Sequence, residues 1–210
     1  MAIFHSTVCK KLRKSFGTVT ACRLMGQNIL RDKVTDVRNP RTLPQRQQRE
    51  RMKTLVELAA VFAQPTTLGF PQRPQKQNPD NQFVQLNMGA VEVSDELEVT
   101  VNYEQILVSK GNRALPEVDV TLDTENSVLQ FTLAEEDVLR HAADDDMLYT
   151  VLLEQKLKRA KLFPVCKRKG AETTTINLPA KWDASQLLVY VFMLSKDRQN
   201  ASVSKCLDVK

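Results

Sequence analysis

The side chains in this 210-residue chain that could carry chemistry are two histidines, four cysteines and two acidic runs. His5 lies close to the N-terminus, and His141 follows Val138-Leu139-Arg140 beside an acidic loop. A Ser/His/Asp or Cys/His site would need one of them oriented by a third group. No G-x-S-x-G stretch supplies a nucleophile turn, so a surface histidine is the plainer reading of each. Glu135, Glu136 and Asp137 with Asp144, Asp145 and Asp146 could gather oxygen ligands for Ca²⁺. They lack the glycine-punctuated spacing of a calcium loop and read as a solvated strand connection. Cys9, Cys22, Cys166 and Cys206 form no C-x-x-C pair, and no Cys/His spacing fits a zinc ribbon or finger. They read as free thiols in a reducing compartment. No P-loop or G-x-G-x-x-G stretch is present. Short expected loops argue against a deep cleft holding a carboxylate pair. The sequence therefore predicts no catalytic residue, no metal, no cofactor and no small-molecule substrate.

Basic residues are a stronger signal. The stretch RNPRTLPQRQQRERMK, residues 38–53, has the marks of a helix start: Thr42 can cap, and Pro44 fits the first turn. It also places Arg41, Arg46, Arg49 and Arg51 near the positive end of the helix dipole, where cations are mildly unfavourable. The helix should run to about Ala63 and stop before Pro65. Met52, Leu55, Ala59 and Phe62 recur at helical spacing, and Val56 and Leu58 widen that apolar face. At helical pitch, Arg46, Arg49 and Lys53 fall within about 60° of one another on the opposite face. Arg51 lies near the edge of the apolar stripe.

Charge is divided unevenly along the chain. Residues 1–76 hold 15 Lys and Arg against 4 Asp and Glu, and the remaining 134 hold 15 against 21. A basic part and an acidic part can bind each other, join neighbours head-to-tail, or present the basic part to an anionic partner. The basic helix face, with Lys10, Lys11, Arg13 and Lys14 ahead of it, could contact phosphates. Only Phe4 and Phe16 lie near to stack on bases, and groove-reading motifs are missing. Carboxylates or carbonyls of the same chain or a neighbour are the favoured partners, because arginine suits bidentate contacts. Arg41, Arg46, Arg49 and Lys53 are accordingly the expected partner-binding residues.

The elements that would position these residues follow from pattern. Residues 1–15 read as a basic arm. Residues 16–63 read as a hairpin turning at Met25-Gly26-Gln27, followed by the amphipathic helix. Residues 64–96 read as a Pro/Gln-rich linker and a short helix opening after Asn78-Pro79. From residue 97 to 210 the pattern has period two, with about seven strands separated by turn signals. The expected fold is mainly β with α: an immunoglobulin- or fibronectin-III-like antiparallel sandwich preceded by a β-hairpin and one helix. Trp182 should pack at a sandwich edge. No run of 18 apolar residues exists, so no transmembrane helix is expected. No apolar core of a signal peptide is read at the N-terminus.

Several segments carry a resemblance: FGTV, NPRTLPQRQQR, LGF, VNYEQILVSKG and VYVFMLSKDRQNASVSK. Together they are similar to a family of uncharacterised proteins of about this length from Bacteroidetes-type bacteria and their phages. The most specific element is Asn39, Pro40, Arg41, Thr42, Gln45 and Arg49. The family brings no assigned activity. Its phage setting implies a virion or assembly role. The resulting expectation is a non-enzymatic structural or interaction protein, cytoplasmic or in a virion, that binds a protein partner or itself. The alternative is a nucleic-acid-binding accessory protein using the basic extension.

Overall fold

The computed structural model describes residues 2–4, 13–24, 26–36, 39–74, 77–123, 126–134, 140–169, 173–179 and 181–209. The chain divides into two compact units, Met1–Thr42 and Leu43–Lys210. The division falls just ahead of the basic helix, not behind it.

The smaller unit is an antiparallel sheet of β1 (Ala2–Phe4), β2 (Lys14–Phe16), β3 (Val19–Leu24) and β4 (Gln27–Asp32) in the order β1-β4-β3-β2. Gly26, with φ +85°, supplies the left-handed residue that the β3–β4 turn needs. The expectation of a lone hairpin is corrected here. A two-stranded hairpin leaves both edges with unpaired N–H and C=O groups, and two segments of the basic arm occupy them as β1 and β2.

The larger unit opens with three helices: α1 (Leu43–Val61), α2 (Ala63–Gly69) and α3 (Pro79–Leu86). The sequence pattern leads to the first and third of these, and α2 is the addition. α1 ends at Phe62, whose φ of −91° and ψ of 15° break the helical path. Pro65 then falls in the first turn of α2, where a missing N–H is tolerated. The stretch read as a linker thus starts as helix, and it buries Pro65, Thr66, Gly69 and Phe70. α3 starts at Pro79, and the Asn78 side chain accepts from the Asp80 N–H at 3.3 Å.

Short strands β5 (Val91–Val93) and β6 (Val99–Val101) form a hairpin. The remaining strands are β7 (Val118–Asp123), β8 (Val128–Leu133), β9 (Met147–Glu154), β10 (Arg159–Lys167), β11 (Thr173–Asn177), β12 (Leu187–Leu194) and β13 (Lys205–Leu207). They make two antiparallel sheets, ordered β11-β8-β7 and β10-β9-β12-β13. Among the described residues the protein is thus mainly β, with several antiparallel sheets and three helices.

β9 and β12 explain why the helices are there. Side chains alternate between faces along a strand. On one face, Leu148, Leu152, Val189, Val191 and Met193 pack against Val120, Leu129, Phe131 and Ile176 of the three-stranded sheet. On the other, Val151, Leu153, Tyr190, Phe192 and Leu194 pack against Leu55, Leu58, Ala59 and Phe62 of α1 and Phe83 and Val84 of α3. Phe62 sits edge-on to Tyr190 with ring centroids 5.8 Å apart, and 5.6 Å from Phe83. A sheet apolar on both faces needs cover on both, and the helices supply the second layer.

The run LEVTVNYEQILVS does not form one long strand. Only Val99–Val101 pairs, with β5; Tyr103–Gln105 is a 3₁₀ turn, and residues 106–109 are held by side chains. The buried Asn87 amide donates to the Leu107 carbonyl at 2.9 Å, and its oxygen accepts from the Leu107 N–H at 2.7 Å. Ser204 Oγ accepts from the Val108 N–H at 2.9 Å, and Ser109 Oγ donates to the Ser202 carbonyl. Gly69 lies flush on this segment: a Cβ there would stand 2.2 Å from the Val108 carbonyl oxygen. The segments LGF, ILVSKG and NASVSK therefore meet as a backbone clamp joining helices to sheet.

Candidate functional site

α1 presents two unlike faces. Leu55, Leu58, Ala59 and Phe62 are buried, whereas Arg46, Arg49 and Lys53 are exposed along the opposite side. Arg41 is exposed in the smaller unit, with φ +50°, and is not on the helix. The four expected binding residues thus resolve into three that share one helix face and one that does not. Met52 and Val56 depart from expectation. Both were read as core, yet they are 37% and 55% exposed. They border the basic stripe and give it an apolar margin.

The helix start is pinned by two side chains. Arg51 Nε donates to the Val91 carbonyl at 2.9 Å. Gln47 Nε2 donates to the Ser94 carbonyl at 3.2 Å and to Asp95 Oδ1 at 3.1 Å. Both reach the β5–β6 hairpin. Arg51, the ninth residue of α1, is thus a cation with a structural task, satisfying a strand carbonyl. Arg46 and Lys53 enter no ion pair among the described residues. The first turn of α1 holds no acidic residue to complement the dipole. Sequence reasoning missed Gln47, whose polar type on a polar-looking helix start carries no signal of a distant partner.

The hairpin beside α1 is acidic. Residues 92–104 include Glu92, Asp95, Glu96, Glu98 and Glu104 with no Lys or Arg, and all five are exposed. The register puts Glu92 opposite Thr100 on the outer side, while buried Val91 faces inward.

The other candidates are drawn apart. Asp146 is buried; its Oδ2 accepts from the Ala143 N–H at 3.0 Å and lies 3.6 Å from Arg113 Nη1 and 4.0 Å from Arg168 Nε. Asp144 pairs with Lys169 at 3.2 Å, and Asp145 with Lys196 at 3.4 Å. Three neighbouring aspartates thus serve three different sets of cations. Among the described residues, no three His, Cys, Asp or Glu side chains gather as a metal site. Glu135, Glu136, Asp137, His5, Cys9, Lys10 and Lys11 lie outside the described residues. His141 is exposed, and its carbonyl accepts from Arg113 Nη1 at 3.3 Å. Cys22, Cys166 and Cys206 are free. Burial pushes the Cys206 thiol up to about 11, helped by Asp208 and Glu104, and burial likewise raises Cys166. Neither is poised as a thiolate nucleophile at neutral pH. Trp182 is half-buried against the core between the two larger sheets. Among the described residues, no helix is long and apolar enough to cross a membrane.

No curated protein and no solved structure matches this chain. Residues 10–208 match a family of unknown function, DUF6266. That span includes the basic helix, the acidic hairpin, the clamp and both larger sheets, and the chain belongs to this family.

Proposed function

We propose that this is a non-enzymatic interaction protein that docks on a protein neighbour through the outer face of α1. The observation carrying the reading is the contrast among its cations. Arg51 has an internal carbonyl to satisfy, whereas Arg46, at the start of α1, and Lys53, past its midpoint, stand exposed and make no ion pair among the described residues. Exposed cations on one helix face with no internal ion pair, one of them set against the dipole, fit a role in binding. The apolar margin of Met52 and Val56 suits a protein surface, since interfaces join apolar contact to a charged rim. A structural role in a virion or other assembly, as the resemblance implies, is one setting for such a module.

The finer fold assignment supports a rigid platform. Lettered A to G in chain order, β7 to β13 give sheets A-B-E and D-C-F-G. Antibody constant domains have ABED and CFG. The fourth strand is the one that changes sheet, and sandwiches of the fibronectin-III kind share the architecture without the same topology. We read residues 118–207 as such a sandwich, with the helices on the outer face of its second sheet.

The test is the molar mass of nuclease-treated protein by light scattering, at low salt and at about 0.5 M salt, where charge contacts are screened. An oligomer that weakens with salt, and weakens in Arg46→Glu/Lys53→Glu, supports the reading. A monomer at both salts overturns self-docking. Salt-sensitive duplex binding lost in the same variant would then favour a nucleic-acid partner.

A further inference from the structure

We infer that the acceptor for the basic face of α1 is the β5–β6 hairpin of a second copy of this chain, in a closed two-fold dimer. The inference rests on the docking role proposed for α1 and names its partner. It starts from the neighbourhood of two opposite patches. Gln47 and Arg51 fix the hairpin to the flank of α1, through the Val91 and Ser94 carbonyls and Asp95. On the helix circumference Gln47 lies about 100° from Arg46, with Glu50 and Thr54 between them. A stripe of three cations and a hairpin of four exposed carboxylates, Glu92, Asp95, Glu96 and Glu98, thus lie side by side in one unit.

Within one copy the two patches face outward along different directions. Neither Arg46 nor Lys53 is in an ion pair among the described residues. A two-fold axis beside Glu50 and Thr54 lays each basic stripe on the other copy's hairpin and repeats the contact in reverse. Such an isologous contact is satisfied on both sides at once and closes. A head-to-tail contact between patches on opposite ends of a molecule would propagate into a filament instead. Adjacency of the patches therefore favours the dimer over an open array.

Two further features suit the hairpin as acceptor. It is held rigidly: the Ser94 N–H donates to the Glu98 carbonyl at 2.9 Å, and the Glu98 N–H donates to Ser94 Oγ at 3.1 Å. A pre-ordered acceptor loses less freedom on binding. It also carries an apolar patch of its own, since Val99 is 37% exposed.

A charge-swap series on the full-length protein tests this. Arg46→Glu/Lys53→Glu is one variant, Glu96→Lys/Glu98→Lys the second, and sedimentation equilibrium is the readout. Each variant alone should associate at least about tenfold more weakly than wild type, since close charge pairs are replaced by like-charge contacts. Mixing the two should restore association, because every contact in the mixed dimer again joins opposite charges, and the mass should stop at twice the monomer. If only the helix variant weakens association, α1 binds some other surface and the hairpin assignment fails while the docking role stands. If neither weakens it, both fail. Masses that climb without limit would overturn the two-fold closure. Circular dichroism spectra matching wild type confirm that each variant folds.

Discussion

The two faces of α1 are built by opposite rules. The inner face obeys the fold: Leu55 and Phe62 are fully buried, and Phe62 reaches the Tyr190 and Phe83 rings. The outer face opposes local helix energetics: its first turn holds no acid, and Arg46 stands where a carboxylate would be stabilising. Arg51, on the seam between them, shows what an internal use for such a cation looks like, a 2.9 Å bond to the Val91 carbonyl. The lesson is that burial accounts for the inner face and does not account for the exposed Arg46 and Lys53 on the outer one. Binding a partner is the role proposed for these two.

The comparison can be broken at its inner side first, where effects are largest. Phe62→Ala should lower unfolding stability by about 3–5 kcal/mol, and Leu55→Ala by about 2–5 kcal/mol. Helical and sheet signals should be lost together in urea, because α1, α3, β9 and β12 share that core. A helix signal that melts separately would show that the helices are an appendage. Next comes the clamp. Asn87→Ala leaves the Leu107 N–H and C=O without their partners and should cost roughly 2–4 kcal/mol, read by the same urea titration.

A smaller effect is expected from pH. Tyr190 is buried and Cys206 half-buried beside this layer, and Tyr190 donates to the Tyr103 carbonyl at 2.8 Å. Burial raises the Tyr190 phenol above its ordinary range, and Cys206 rises from 9.0 to about 11. A raised acid keeps its proton in the folded state while the unfolded chain loses it. Its contribution is therefore whole below pH 9.0 and fades as pH climbs towards about 11. The urea midpoint should fall across that window, and Cys206→Ser should flatten part of the slope. A midpoint that rises there would contradict the burial of these groups. The smallest stability effect belongs to the outer face: Arg46→Glu should change it by no more than a few tenths of a kcal/mol to about 1 kcal/mol, and upward, because a carboxylate suits the helix start.

Much of this was readable from residues alone, for definite reasons. LLVYVFML is a continuous apolar run, and such runs mark strands buried on both faces; β12 is one. Gly26 in Met25-Gly26-Gln27 marks a turn because few other residues take positive φ without strain. Arg46, Arg49 and Lys53 share a face because pitch is fixed. The failures have physical causes too. α1 does stop before Pro65, but Pro65 gives no sign of α2, because the first turn of a new helix accepts it. VNYEQILVS alternates like a strand, but Asn87 and Ser204 take over the hydrogen bonds a neighbouring strand would have made. Those partners lie 20 or 96 residues from the segment they hold, so no local pattern announces them. Met52 and Val56 fit the apolar periodicity, but how much of a helix the sheet covers is set by tertiary packing. The acidic run from Glu92 to Glu104 was visible as composition; its place beside α1 was not.

The most direct measurement puts stability and association on one protein. Arg46→Glu/Lys53→Glu is taken through a urea titration and through sedimentation equilibrium at low salt. The account predicts association weakened at least about tenfold, with unfolding free energy unchanged or slightly raised. Association equal to wild type, or a loss of more than about 1 kcal/mol in stability where surface changes usually stay within about 0.5, would show that the outer face of α1 serves the fold and not a partner.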